Sequence, residues 1–203
     1  MDQRFLLIPL KSLLAHEETR PRRVLEVARS IAEMGRVKKP IIAEERTLTI
    51  IDGHHRAKAL RLLGARYAPV VLARYNKDVE RIEPPVRVIR VRARSREEAL
   101  SIVAEQVERL ATRGPSKLVL RAGGKTLVLT RELESLHRAL GVLENTVIGK
   151  KGRMYAIEAL SEPLRPEIIA SAAMRREPFP PKTSIHVTYL KKLYRSVKLS
   201  ALI

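Results

Sequence analysis

Apolar residues in the first part of the chain recur at two different spacings, and the alternation between them predicts the order of elements. Phe5-Leu6-Leu7-Ile8, led by Arg4 and closed by Pro9, reads as an opening strand, and the polar stretch from Lys11 to Arg20 reads as a loop. Val24, Val27, Ala28 and Ile31 then return at helical spacing behind Pro21, whose fixed φ suits a first helical position. A helix is expected over about Pro21 to Met34, stopped by Gly35 and basic on its outer face. Pro40 to Ala43 and Thr47 to Ile51 read as two strands around a Glu44-Glu45-Arg46 turn. Arg56 to Leu63 places Ala59, Leu60 and Leu63 on one helical face before Gly64, and Pro69 to Ala73 is a further strand. Together these make a small mixed α/β unit ending near residue 76.

The rest of the chain is less dense in signals. Asn76 to Pro85 is polar with a Pro-Pro pair and reads as a linker. Val86 to Ala93 alternates apolar and basic residues but shifts phase at Ile89, which predicts either a bulge or a strand buried on both faces. Ser95-Arg96-Glu97-Glu98 is a capping box, and Leu100, Val103, Ala104, Val107, Leu110 and Ala111 mark one helical face halted by Gly114-Pro115. Gly123-Gly124 between Lys117 to Ala122 and Lys125 to Thr130 signals a hairpin. A short helix is expected from about Arg131 to Leu140, ending at Gly141, then a strand over Met154 to Leu160. A helix over Pro166 to Arg176 follows, with Ile168, Ile169 and Ala172 inward. Three prolines break regularity between Arg175 and Pro181, and Lys182 to His186 follows as a loop or strand start.

Composition narrows the class. A chain of 203 residues that is 45% apolar can bury a sizeable core. It has no cysteine, which excludes disulfides, thiolate metal sites and thiol nucleophiles. With no early apolar run of about 18 residues and no signal-peptide pattern, a cytoplasmic protein without a membrane contact is expected. Forty Lys and Arg against 22 Asp and Glu give a net charge of +18, spread over every segment. That balance implies some nonspecific affinity for nucleic acid, but it fits a hot-environment protein equally well. Aromatic residues are only 3%, which leaves few stacking platforms for single strands.

The candidate chemistry gathers at Ile50-Ile51-Asp52-Gly53-His54-His55-Arg56. A strand that ends in Asp-Gly and opens a helix is a phosphate-site layout, because Gly53 admits close approach of a ligand and the first helical N–H groups lack partners within the helix. His54, His55 and Arg56 add donors on the same turn. The Asp52 carboxylate facing that anion makes sense with a cation such as Mg²⁺ between them. The plainer reading is a capped helix start with surface histidines.

Gly53-x-x-Arg56-x-x-Ala59 resembles the GxxRxxA signature of the ParB/sulfiredoxin-like superfamily, whose members bind nucleotide phosphates at such a corner. The fuller Asp52-Gly53-His54-His55-Arg56 is similar to the branch holding the archaeal free L-serine kinases, as are Lys39-Pro40, His16-Glu17 and Lys182-Thr183-x-x-His186. The resemblance implies a ParB/sulfiredoxin-like N-terminal domain with a mixed sheet (α/β, or α+β) over residues 1–85. It also implies a smaller α/β C-terminal domain over 86–203 that completes the substrate pocket. The implied activity is transfer of a phosphoryl group from ATP or ADP, with Mg²⁺, to the hydroxyl of free L-serine, as a step toward cysteine.

Phosphorylating an alcohol requires a carboxylate that orients the hydroxyl and takes its proton. By resemblance that base is Glu17, with Glu18 the local rival, and His16 is a substrate-binding residue that shapes the same loop or touches phosphate. Asp52 helps hold Mg²⁺; the backbone at Gly53 with His54, His55 and Arg56 holds the phosphates; Lys182, Thr183 and His186 receive the amino acid. His137 is expected at the surface or half-buried, and the five tyrosines as packing residues. The alternative is a ParB-like nucleic-acid-binding or nucleotide-switch protein, against which stands the Gly-Gly hairpin following the regular helix from Ser95 where a helix-turn-helix would be needed. A ParB-related nuclease would need several metal-binding carboxylates, and the motif offers mainly Asp52.

Overall fold

The computed structural model describes residues 5–203, so the expected strand start at Arg4 lies outside the described residues. Contacts divide the chain into two units. One takes the chain up to Ile82, then Arg165–Pro181 and His186–Ile203; the other takes Glu83–Leu164 and Lys182–Ile185. The linear reading, with one boundary at residue 85, does not contain this return of the chain.

The first stretch carries β1 (Phe5–Pro9), α1 (Pro21–Met34), β2 (Arg36–Val37), β3 (Ile41–Glu44), β4 (Ile50–Asp52), α2 (His54–Leu62), β5 (Tyr67–Ala73), α3 (Tyr75–Asp78) and β6 (Arg81–Glu83). The sheet runs β1-β5-β3-β4. It is mixed: β5 pairs antiparallel with β1 and parallel with β3, and β3 pairs antiparallel with β4. Val24, Ala28 and Ile31 of α1 and Ala57 and Leu60 of α2 pack with Ile41, Ala43, Ile50 and Val70. In a second cluster Ile42, Ile51, Val71 and Ala73 meet Leu190. Coverage on both faces is why all four residues of β3 are buried and Ile41-Ile42-Ala43 reads as an unbroken apolar run, with the buried Glu44 carboxylate accepting from the Arg46 and Thr47 N–H groups.

The segment 76–85 is not a bare linker. Asp78 accepts from the Arg74 N–H at 2.9 Å and from the Tyr189 hydroxyl at 2.8 Å, Thr188 Oγ1 donates to its carbonyl, and the Glu80 N–H donates to the Val187 carbonyl. These bonds give the polar stretch one turn of helix and the short β6.

In the second unit β7 (Arg87–Ala93), α4 (Arg96–Leu110), β8 (Ser116–Ala122), β9 (Lys125–Arg131), α5 (Leu133–Glu144), β10 (Val147–Ile148) and β11 (Arg153–Ser161) form a five-stranded sheet, β10-β7-β11-β8-β9. Its core joins Ile89, Val91, Leu118, Leu120 and Ile157 to Val103 and Val107 of α4 and Leu136 and Leu140 of α5. Ser95 caps α4 by accepting from the Glu98 N–H at 3.1 Å, as the capping box predicts. Gly123 and Gly124 both have positive φ, as a two-residue hairpin turn requires.

Three expectations need correction here. β7 has neither a bulge nor two buried faces: it alternates cleanly, with Arg87, Ile89, Val91 and Ala93 inward and Val88 outward. The inward phase begins on an arginine, which burial tolerates because Arg87 Nη1 pairs with Glu144 and Nη2 donates to Thr183 Oγ1 at 3.0 Å. α5 runs through Gly141 to Glu144, starting from a Glu132 cap that accepts from the Glu134 and Ser135 N–H groups. His137 is fully buried, with Nε2 2.9 Å from the Glu162 carbonyl oxygen.

The chain then returns to the first unit through α6 (Pro166–Arg175), β12 (Ile185–Val187) and β13 (Val197–Lys198). β13 pairs with β2, and the fully buried Leu202 accepts from the Arg66 and Tyr67 N–H groups. No helix of the described residues is long and apolar enough to cross a membrane.

Breaking the buried pair by Arg87→Ala is expected to destabilise the protein by about 3 kcal/mol, with a smaller loss for the volume-conserving Arg87→Met. Urea unfolding measures both, and an unmoved midpoint in Arg87→Ala means the pair contributes nothing.

Candidate active site

The corner between β4 and α2 turns on Gly53, whose φ of +105° suits glycine. A Cβ there would lie 2.8 Å from Arg56 Nη2, so any other residue would push the guanidinium aside, while the turn itself is what calls for glycine. α2 begins at His54, two residues before the expected start, because the backbone turns at once after Gly53. Its first turn has no acidic residue and no side-chain cap, so the leading N–H groups are left to attract an anion. Arg56 Nη2 donates to Asp52 Oδ2 at 2.6 Å one helical turn away, while the buried Arg56 Nε has no hydrogen-bond partner among the described residues.

The loop before α1 is anchored along its length. Leu14 bonds into the entrance of β4, its N–H to the Leu48 carbonyl and its carbonyl to the Ile50 N–H. The Phe179 N–H donates to the His16 carbonyl and the Glu18 N–H to the Phe179 carbonyl, both at 2.8 Å, and Phe179 is fully buried. The Arg20 N–H donates to His55 Nε2 at 3.2 Å, tying the loop to α2. The three-proline segment thus supplies the partner that holds His16-Glu17 extended. The Glu17 side chain is 12% exposed, with Oε1 3.7 Å from His16 Nε2, whereas Glu18 is exposed.

Three histidines from distant parts of the sequence meet there. The His16 ring packs edge-on against His54 at 4.6 Å and against His186 at 5.7 Å between centroids. His54 is pushed down to about 3 by burial first and then by the neighbouring His16, and His186 to about 3 for the same two reasons. Both imidazoles are therefore neutral at ordinary pH. Burial, with Arg23 and Arg20 nearby, also lowers His55. Tyr75, expected only to pack, places its hydroxyl 3.0 Å from His186 Nε2.

The structure thus brings together His16, Glu17, His54 and His186, with Gly53, Asp52, Arg56 and His55 on the same corner. Lys182 and Thr183 fold with the second unit, where Lys182 has a left-handed φ of +61° and Thr183 is buried against Arg87. Beside Arg56 a cavity of about 350 Å³ opens within the first unit. Val27, Ile31, Met34 and Tyr194 give it apolar walls and Arg23 and Lys39 add charge, with Lys39 Nζ 4.6 Å from the Tyr194 ring centroid. Sequence reasoning missed Tyr75, Phe179 and this cavity, although two of its lining residues, Lys39 and Arg56, lay in recognised motifs. No group of three or more His or acidic residues among the described residues is placed to hold a metal ion. Asp52 alone suits Mg²⁺ only as an ion arriving with phosphate oxygens and water to complete its shell.

A glycine-led strand-to-helix corner within a mixed α/β fold defines the class, and free serine kinases are among the solved structures with that fold. One, in complex with AMP, matches at a TM-score of 0.70 and 20% identity over 98% of this chain and 93% of that one. A glutamate-to-alanine variant in complex with ADP matches at 0.71 and 20%, over 98% and 94%. The chain has the free serine kinase fold. In sequence it is 26% identical over 226 residues to an ADP-dependent L-serine kinase of Thermococcus kodakarensis, covering 98% of this chain and 93% of the relative. It matches no protein-family model.

Two outcomes follow from the geometry. Gly53→Ala is expected to cost about 1–2 kcal/mol of stability from backbone strain and to weaken nucleotide binding by displacing Arg56; calorimetric titration with ADP checks the latter, and unchanged affinity contradicts it. In the unfolded chain His54 and His186 protonate as pH falls through about 6.5, but in the folded protein only near 3. The unfolded state binds more protons across that window. Stability is therefore complete above about pH 6.5 and lost toward pH 3, by at most about 1.4 kcal/mol per pH unit per histidine. Urea midpoints at several pH values should fall on acidification, with a shallower slope in His186→Gln; an identical slope excludes His186 as a source.

Proposed function

We propose that this chain transfers a phosphoryl group from a nucleotide to the hydroxyl of free L-serine, giving O-phospho-L-serine. ADP is the favoured donor, as in the Thermococcus relative, with ATP the alternative. The observation that carries the reading is the placement of the mostly buried Glu17 carboxylate beside His16, whose ring touches both His54 at the head of α2 and His186.

The roles follow from the chemistry. The free N–H groups at the start of α2, with His54, His55 and Arg56, bind the phosphates. The cavity beside Arg56 takes the nucleoside; its volume lies within the range of roughly 300–1,000 Å³ common to ligand pockets, and Tyr194 offers a face for the base. Asp52 would hold Mg²⁺ against the phosphate oxygens, and the ion would supply positive charge where the phosphates crowd. His16 and His186 bind serine. Glu17 takes the hydroxyl proton as the serine oxygen bonds to the terminal phosphorus, and the bridging oxygen keeps the electron pair of the breaking P–O bond, so ADP leaves as AMP. Neutral His54 and His186 leave the basicity of Glu17 undiminished, where imidazolium ions would reduce it. The product carries a good leaving group on its β-carbon, which suits a place in cysteine synthesis.

Incubation with Mg²⁺, serine and either nucleotide should yield phosphoserine by ³¹P spectroscopy, with threonine and homoserine as controls on pocket size. Glu17→Gln should leave ADP affinity within about twofold while turnover falls by roughly 10²-fold or more. Unchanged turnover removes Glu17 from the mechanism. Asp52→Asn should abolish the effect of Mg²⁺ on nucleotide affinity, and a parent protein that binds ADP equally with and without Mg²⁺ contradicts that role.

A further inference from the structure

Tyr75 opens α3 with its ring among Ile42, Ile51, Val71 and Ala73 and its hydroxyl against His186 Nε2. The other ring nitrogen of His186, Nδ1, is buried and has no hydrogen-bond partner among the described residues. His186 itself is 1% exposed, and Lys191 Nζ donates to its carbonyl oxygen. A buried polar nitrogen left without a partner costs roughly 1–3 kcal/mol, a cost that a ligand group relieves when it arrives.

What Nδ1 offers a ligand depends on Tyr75. A neutral imidazole has one N–H, and the hydrogen bond at one nitrogen decides whether the other is a donor or an acceptor. Burial holds His186 neutral and pushes the Tyr75 hydroxyl up, with Glu44 and Glu167 adding to the latter, so each group keeps one proton. A phenol is the better donor of the two and an imidazole nitrogen the better acceptor. The Tyr75 O–H therefore donates to Nε2, and the proton of the ring sits on Nδ1.

We infer that Tyr75 is a positioning residue: its hydroxyl fixes His186 as the Nδ1–H tautomer and presents that N–H as the donor for the carboxylate of the amino-acid substrate. The substrate end of this inference rests on the serine-kinase reading above. The Lys191 ammonium beside His186 favours the anionic end of serine there, while Glu17 on the His16 side faces the hydroxyl. The opposite tautomer would present a lone pair to the ammonium group instead, so the Tyr75 contact sets which way round the amino acid lies.

The test pairs a spectrum with kinetics. Long-range ¹H–¹⁵N correlations, with the His186 ring assigned by comparison with His186→Asn, should show Nδ1 protonated and Nε2 unprotonated in the parent. In Tyr75→Phe, which keeps the ring, that preference should be lost, and the serine KM should rise about tenfold while the nucleotide KM stays within about twofold. A residue that only packs moves neither the tautomer nor the serine KM. A parent protonated at Nε2 overturns the inference, as does a Tyr75→Phe protein of unchanged circular dichroism whose serine KM is unmoved. A parent that makes no phosphoserine overturns the substrate clause together with the serine-kinase reading, and the tautomer spectrum still decides what Tyr75 does to His186. If Tyr75→Phe does not fold, the parent spectrum alone decides the tautomer, and a serine-induced shift at Nδ1, present or absent, decides the contact.

Discussion

The site depends on two backbone hydrogen bonds that fasten His16-Glu17-Glu18 to Phe179. Each is worth only about 0.5–1.5 kcal/mol, but full burial of the Phe179 side chain adds about 1.5–3 kcal/mol and fixes the partner strand in place. Leu14 at the entrance of β4 and Arg20 against His55 hold the two ends of the same loop. A polar stretch with little intrinsic preference for any structure is thereby extended across the head of α2. The carboxylate of Glu17 arrives at the Gly53 corner through these attachments, not through any propensity of its own segment.

Electrostatics at the corner separates two kinds of group. Arg56 and Asp52 pair with each other across one helical turn and remain part-exposed. His54 and His186 are dry and neutral, so they contribute directional hydrogen bonding without net charge. This division keeps the guanidinium charge on the Asp52 side of the corner and places neutral imidazoles nearer the Glu17 carboxylate.

Much of the fold was legible because periodicity is set by burial. α1, α4 and the Gly-Gly hairpin lie close to where spacing and turn chemistry place them, and the mixed α/β character of the first unit follows from the order of its strands and helices. The failures share a cause, since each depends on a partner far along the chain. Arg87 is inward only because Glu144 and Thr183 are there to meet it, and His137 is buried only because the Glu162 carbonyl accepts it. Residues 76–85 are ordered by Val187, Thr188 and Tyr189. For the candidate site, the turn at Gly53 was readable from local chemistry, whereas Tyr75 and Phe179 acquire their positions from strand and loop partners that no short window contains.

The placement of Leu202 bears on how the protein is made. Its side chain sits in the core of the first unit and its carbonyl receives the N–H groups at the start of β5, more than half the chain away. During synthesis most of the second unit leaves the ribosome as one continuous stretch, while the core of the first unit, begun earlier, is completed only when Leu202 arrives. The surroundings of the Gly53 corner are likewise completed late, by Phe179 and His186. Until then the exposed apolar strands β3 and β5 are the segments most in need of protection from aggregation.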